Sequence, residues 1–336
     1  MARRLPVLPL AWLVSVAGWT SGPVWSDSPP GAVGAAEAAR LGQVAGLPGP
    51  GGLMGFQQET PINAVPNSPS ESLLAAAVRM LESRESISAQ IRHEVHLFDK
   101  HLVGLGVYLE QRSGRDQLFR VEMRIQLGDK SSSLVQVCDG RYLWTYQNMP
   151  SEGKLSRVDL LRVLRTIQRS EKIENQGDVN ILSGIGGLPK LLRGLDAAFD
   201  FNTVEQGRWG QRKLPVWRLQ GQWKRQQLAK LLPQQRGAIE KGAPTDLSKL
   251  AEHLPDHVVL LLGQEDLFPY RIEYRRMLPE RPGQVNEPTS RALVTMDLFE
   301  VTINAAIDPM RFVYNPGESE VADQTDAFLA SLGVKP

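Results

Sequence analysis

From residue 86 onward the chain alternates. Ile87, Ala89, Ile91, Val95 and Leu97 are separated by polar residues. The same period-two pattern runs through Val103, Leu105, Val107 and Leu109. It returns in Phe119, Val121, Met123 and Ile125, interleaved with Arg120, Glu122, Arg124 and Gln126. Strict alternation gives a strand one buried and one solvated face, the habit of antiparallel sheets. Ser113-Gly114, Gly128-Asp129 and Asp139-Gly140 fall between the runs as turn signals. Asp-Gly between two apolar runs predicts a two-residue hairpin loop. That loop pairs Cys138 with Arg141, Val137 with Tyr142, Val135 with Trp144 and Ser133 with Tyr146. Val135, Val137, Tyr142, Trp144 and Tyr146 then share one face, which continues the buried face of the preceding strands, and Cys138 lies on the polar face.

Helical texture flanks these strands. Ser68-Pro69-Ser70-Glu71 is a capping box with proline at the first helical position. The helix behind it carries Leu73, Leu74, Ala77, Val78 and Leu81 on one face. After the aromatic strand, Val158, Leu161, Leu164 and Ile167 form an amphipathic stripe, and a glycine-rich apolar segment holds a short helix near 188–198. Strands resume at 201–207 and 214–223, and residues 224–256 read as a helical insertion with Lys224, Arg225 and Lys230 on a solvated face. HVVLLLGQ, YRIEYRR and RALVTMDLFEVTIN are further strands, and the tail closes with a short helix. Parallel βαβ alternation is missing. The order predicts an α+β domain with one large antiparallel sheet, curled around helices from two places in the chain.

Composition changes this picture in two respects. Lys+Arg number 38 and Asp+Glu 37 among 336 residues, so no basic excess argues for nucleic acid. A single cysteine, Cys138, excludes an internal disulfide and thiolate-rich zinc sites. The start, MARRLPVLPLAWLVSVAGWTSG, has a basic end and a short apolar run broken by Pro6 and Pro9, the shape of a secretory signal. A membrane anchor is the other reading of that run, which is short for a span of about 20 apolar residues. The expected organisation is a signal peptide at 1–26, a flexible Gly/Pro/Ala-rich linker at 27–67 and a domain at 68–336, placed in the periplasm. Without residues 1–26 the balance becomes 36 against 37, because Arg3 and Arg4 leave with them.

Catalytic signals are absent from the sequence. Gly184-Ile185-Gly186-Gly187 lacks dinucleotide-loop spacing, and no Gly-x-Ser-x-Gly occurs. His93 and His96 of HEVH point to opposite faces of a strand and cannot share an ion. No catalytic residue, cofactor or metal is expected, and the chain is read as a non-enzyme.

Several pieces in fixed order carry a family likeness. ISAQIRHEV is followed by GLGVYLEQ, RDQLF and the hairpin LVQVCDGRYLWTY; far downstream come FPYRIEY and the closing MRFVYNPGESEVADQT. In this order the chain resembles the LolA-like periplasmic lipoprotein carriers, from about Ser86 to Phe328. The resemblance implies an incomplete barrel of about eleven antiparallel strands, with helices as a lid over the concave face. It implies a hollow for lipid or lipoprotein acyl chains, and membrane-bound donor and acceptor proteins as partners. On this reading Ile91, Val107, Phe119, Val121, Met123, Val135, Val137, Tyr142, Trp144 and Tyr146 line the hollow. Ser183–Gly187 and the adjacent helix form the lid, and Arg115 occupies the position of the carriers' lid latch. The carriers place proline after that arginine and an aromatic two residues after the Phe; here these are Asp116 and Val121. Burial of each methylene is worth about 0.8 kcal/mol, so an acyl chain needs only apolar area and a way in. The alternative is a non-carrier envelope scaffold or sensor domain on the same fold, its sheet filled by its own helices and its outer face binding a protein.

Overall fold

The computed structural model describes residues 73–97, 100–113, 116–127, 130–149, 152–169, 187–278 and 290–331. The signal segment, the linker, the capping box at Ser68, Arg115 and Ser183–Gly186 lie outside the described residues.

Helix α1 (Leu73–Ser83) leads into six strands in hairpin succession: β1 (Ser86–Leu97), β2 (Lys100–Ser113), β3 (Asp116–Leu127), β4 (Lys130–Cys138), β5 (Tyr142–Met149) and β6 (Glu152–Asp159). Helices α2 (Leu160–Arg169) and α3 (Gly187–Ala198) follow, then β7 (Phe199–Trp209) and β8 (Leu214–Trp223). The predicted insertion contains α4 (Arg225–Leu231), α5 (Arg236–Glu240) and short 3-10 turns. Strands β9 (His257–Gly263), β10 (Pro269–Met277) and β11 (Ser290–Ile303), a turn at Pro309–Phe312, β12 (Val321–Asp323) and α6 (Thr325–Ser331) complete the chain.

All twelve strands form one open, curved sheet, in the order β12-β6-β5-β4-β3-β2-β1-β11-β10-β9-β8-β7. The expected count was about eleven. The additional strand is β12, which pairs parallel with β6 through Val321 and Leu155, whereas every other pair is antiparallel. β1 sits at the seam, with His93 opposite both Gly104 of β2 and Met296 of β11, and so joins the two halves of the chain.

One face of the sheet, called inner here, is covered by α1 and α3. Leu74, Ala77, Val78 and Leu81 of α1 and Leu188, Leu191, Leu192 and Leu195 of α3 are buried in one core with Ile87, Ile91, Phe119, Val121, Leu260 and Leu298 of the strands. Each buried leucine contributes roughly 2 kcal/mol. The insertion adds Leu228, Leu232, Ile239, Leu250 and Leu254 to the same core. It is tied down by polar bonds. The Arg276 guanidinium donates to the carbonyls of Ala251 (2.6 Å), Leu250 (2.9 Å) and Leu254 (3.1 Å), and the Trp223 indole donates to that of Pro255 (2.8 Å).

Register decides which apolar set faces the helices. In β2 the inner positions belong to Leu102, Gly104, Gly106, Tyr108 and Glu110, and the Val103–Leu109 set faces outward. Gly106 is required there: a Cβ would stand 1.9 Å from the Glu122 carbonyl oxygen, because β2 and β3 come so close at that point. The β4–β5 connection is also longer than the two-residue turn expected. Cys138 pairs with Leu143 and Val137 with Trp144, a slip of two residues that preserves which side chains share a face. The Asp139 carboxylate causes it, accepting from the backbone N–H of Arg141 (2.9 Å) and Tyr142 (2.7 Å) and from the Trp144 indole (3.0 Å).

Helix α2 is rotated from its predicted stripe. Asp159 Oδ1 accepts from the Arg162 N–H at 2.9 Å and starts the helix after Val158, which ends in β6. Leu160 and Val163 are then buried, while Leu161 and Leu164 are about 40% exposed, at 39% and 41%.

Candidate functional site

The ten residues predicted to line one hollow divide between two faces. Phe119 pairs with Cys138, Val121 with Gln136 and Met123 with Leu134, so the side chains of β4 that join the inner face are the alternates of Val135 and Val137. Ile91, Phe119, Val121 and Met123 lie on the inner face, at 0–3% exposure, beneath the leucines of α1 and α3. Val107, Val135, Val137, Tyr142, Trp144 and Tyr146 lie on the outer face, which corrects their placement in the inner layer. Cys138, expected on the polar face, is buried in the inner core. The reason is that the opposite set, mixed as it is, carries Leu134, Cys138 and Leu143, which are buried in the helix-covered core, and the tail covers the aromatic set.

The aromatic row is the floor of a second, small core. Val137, Trp144 and Leu155 are buried with Val135, Tyr142, Tyr146, Tyr314 and Val321 packed around them. Trp144 and Tyr314 stack with centroids 5.5 Å apart, and the Arg157 guanidinium sits 5.1 Å from the Tyr142 ring centre. The Arg120 guanidinium donates to the Arg311 carbonyl at 3.1 Å, fastening the tail across the outer face.

On the inner face the contact between sheet and α3 includes a polar point at the start of the helix. Gly187 and Leu188 open the helix directly over Tyr108 and Glu110 of β2. The Leu188 N–H donates to Tyr108 Oη (2.8 Å) and more weakly to Glu110 Oε2 (3.4 Å). Tyr108 Oη in turn donates to Glu110 Oε2, and the Gln117 amide donates to Glu110 Oε1. Gly187 has φ +70, and a Cβ on it would stand 2.6 Å from Tyr108 Oη and 2.7 Å from Glu110 Oε2. Glycine permits both the left-handed backbone and the close seat.

The electrostatics follow from burial. Desolvation pushes the Glu110 carboxyl up from 4.5 to about 7, against the pull of the hydrogen bonds from Tyr108, Gln117 and Leu188 and the charge of Arg112. The Tyr108 hydroxyl is pushed well above its ordinary range by burial first and by Glu110 second. His93, inner and 5% exposed, is lowered to about 4 by burial and stays neutral. The joint is therefore a buried acid that holds the first turn of α3 through a tyrosine. Sequence reading passed over it, because Tyr108 and Glu110 occupy the alternation that hydropathy ranks second. The signal was a Tyr and a Glu two residues apart, in line with two glycines.

Arg115, the predicted latch, lies outside the described residues. His93 and His96 face opposite sides of β1, as expected, and among the described residues Glu94, His96 and His101 are the one group of three ligating side chains brought together. Desolvation and the His101 charge lower His96; Glu94 raises it and Arg291 lowers it. No helix among the described residues is long and apolar enough to cross a membrane.

No protein-family model matches the chain, and no curated protein sequence does. Among solved structures it is similar to a DUF1329 family protein from Desulfovibrio piger at 11% identity and a TM-score of 0.33, covering 72% of this chain and 96% of that one. It is also similar to a domain assigned to outer membrane lipoprotein sorting from Vibrio parahaemolyticus, at 9% identity and a TM-score of 0.29, covering 71% and 97%. At these values the function has to be read from the chain's own residues.

Proposed function

We propose that the chain is a carrier-like protein of the periplasm that takes lipid or lipoprotein acyl chains against the inner face of its sheet, with α1 and α3 as the movable cover. The observation that carries this reading is how the cover is attached. Two short helices, of 11 and 12 residues, rest on the sheet through leucine, valine and alanine side chains. Beneath the start of α3 lies a buried polar joint, Leu188–Tyr108–Glu110. Apolar contact is non-directional, so an acyl chain can replace a helix leucine at little cost. The polar joint returns the helix to one seat when the ligand leaves. In the closed form the helix leucines occupy the space an acyl chain would take, so loading requires the cover to lift.

That same filling favours a second reading, a scaffold or sensor domain whose helices stay seated and whose exposed faces bind a protein. Native mass spectrometry of the protein purified from envelope extract separates the two. A bound mass that solvent extraction identifies as lipid or lipoprotein supports the carrier. Apo protein throughout, together with no rise in fluorescence of a hydrophobic dye, sinks it.

A further inference from the structure

The outer face of the β1–β2 hairpin brings together ligands from its two strands. His96 and His101 are directly opposed across the two strands, and Glu94 precedes His96 by two residues on the same face. The imidazoles stack, with centroids 4.0 Å apart and planes 14° from parallel. One ligating atom from each of the three residues lies within 4.8 Å of the other two. A tetrahedral zinc site with bonds of about 2.1 Å needs donors about 3.4 Å apart. Glu94 Oε2 and His101 Nε2 are already 3.7 Å apart, so small side-chain rotations close the set.

Glu94 divides its oxygens: Oε1 is 2.6 Å from Arg92 Nη2, and Oε2 faces His101. An outer partner that fixes a ligand carboxylate while leaving one oxygen free is how metal sites orient their ligands. Nδ1 of His96 is buried and has no hydrogen-bond partner among the described residues. A buried ring nitrogen without a protein partner is a polar group that an ion or a water has to satisfy.

We propose that Glu94, His96 and His101 form a site for a borderline divalent cation, with Zn2+ as its probe. Two imidazoles and a carboxylate match the ligand preference of such ions, and three protein ligands leave one position open to water. The site lies at the surface, with 54% of the His101 side chain and 22% of that of Glu94 exposed, so an ion reaches it without unfolding. The charged groups around it are Arg92 on β1 and Arg291 on β11, with the Arg271–Asp297 pair beyond Glu94. His93, on the opposite face of β1, takes no part.

The test uses the full chain free of any histidine tag. Zn2+ is titrated by calorimetry into the native protein and into His101→Ala, Glu94→Gln and His96→Ala/His101→Ala. One ion per chain is expected, with affinity falling at least about tenfold in each variant, the scale on which even outer partners act. The metal-free thermal melt of His101→Ala should match the native one. Co2+ in the native chain should give the intense visible ligand-field bands of tetrahedral coordination, far stronger than those of the hydrated ion, a readout that needs no variant. No heat of binding, a double variant that binds as the native chain does, or a Co2+ spectrum that stays that of the hydrated ion would each overturn the site.

Discussion

Replacing Glu110 by glutamine isolates the buried joint beneath α3. Glutamine keeps the shape and two of the contacts: its carbonyl accepts from Gln117, and its amide donates to Tyr108 Oη, which still accepts the Leu188 N–H, while the bonds that Tyr108 O–H and Leu188 N–H give to Oε2 are lost by the same amount at every pH. What it removes is a proton equilibrium. The folded carboxyl titrates at about 7 and the unfolded one near 4.5, so between those values the folded state holds a proton that the unfolded state has released. The stability Glu110 contributes is therefore complete below about pH 4.5 and is lost as pH rises through about 7. At about 1.4 kcal/mol per pH unit the loss is about 3 kcal/mol. Urea unfolding of the native chain and Glu110→Gln at several values between about pH 4.5 and about pH 8 measures it. The difference between the two curves cancels every other titrating group, and it should move by about 3 kcal/mol in favour of the variant across that window. A difference that stays constant with pH would refute the account of a desolvated acid under the helix.

The other side of the same joint is tested by Gly187→Ala. A side chain there meets a positive φ and the Tyr108 and Glu110 oxygens together, so the melt should fall by more than about 1 kcal/mol in stability and hydrophobic-dye binding should rise as α3 lifts. Trp144→Ala probes the outer cluster. It removes the stack on Tyr314 and the bond to Asp139, and should cost about 3 kcal/mol in denaturant unfolding while leaving any acyl-chain loading unchanged. A parallel loss of loading would return the aromatic row to the binding site.

The elements of this fold were legible because hydrophobic periods are local. Alternation announced β1 to β5, the apolar runs announced β9 to β11, and the segment at 188–198 became α3 within a residue. Parity was legible too: Val135, Val137, Tyr142, Trp144 and Tyr146 do share a face, even though the Asp139 turn moves their partners by two. What alternation cannot supply is the sign of that face. β2 offers Val103, Leu105, Val107 and Leu109 on one side and Leu102, Gly104, Gly106 and Tyr108 on the other, and hydropathy favours the first. The helices took the second, because glycine lets β2 and β3 close together there, and Leu105 on the other side was left exposed, while the tail that carries Tyr314 went to the outer face of β4 and β5. The pairing of His96 with His101 likewise waited on the hairpin register, and the seat of Leu188 on Tyr108 on a segment eighty positions away in the chain. Side-chain period is a property of a few neighbouring residues, whereas the layer that covers each face is chosen by contacts between distant ones.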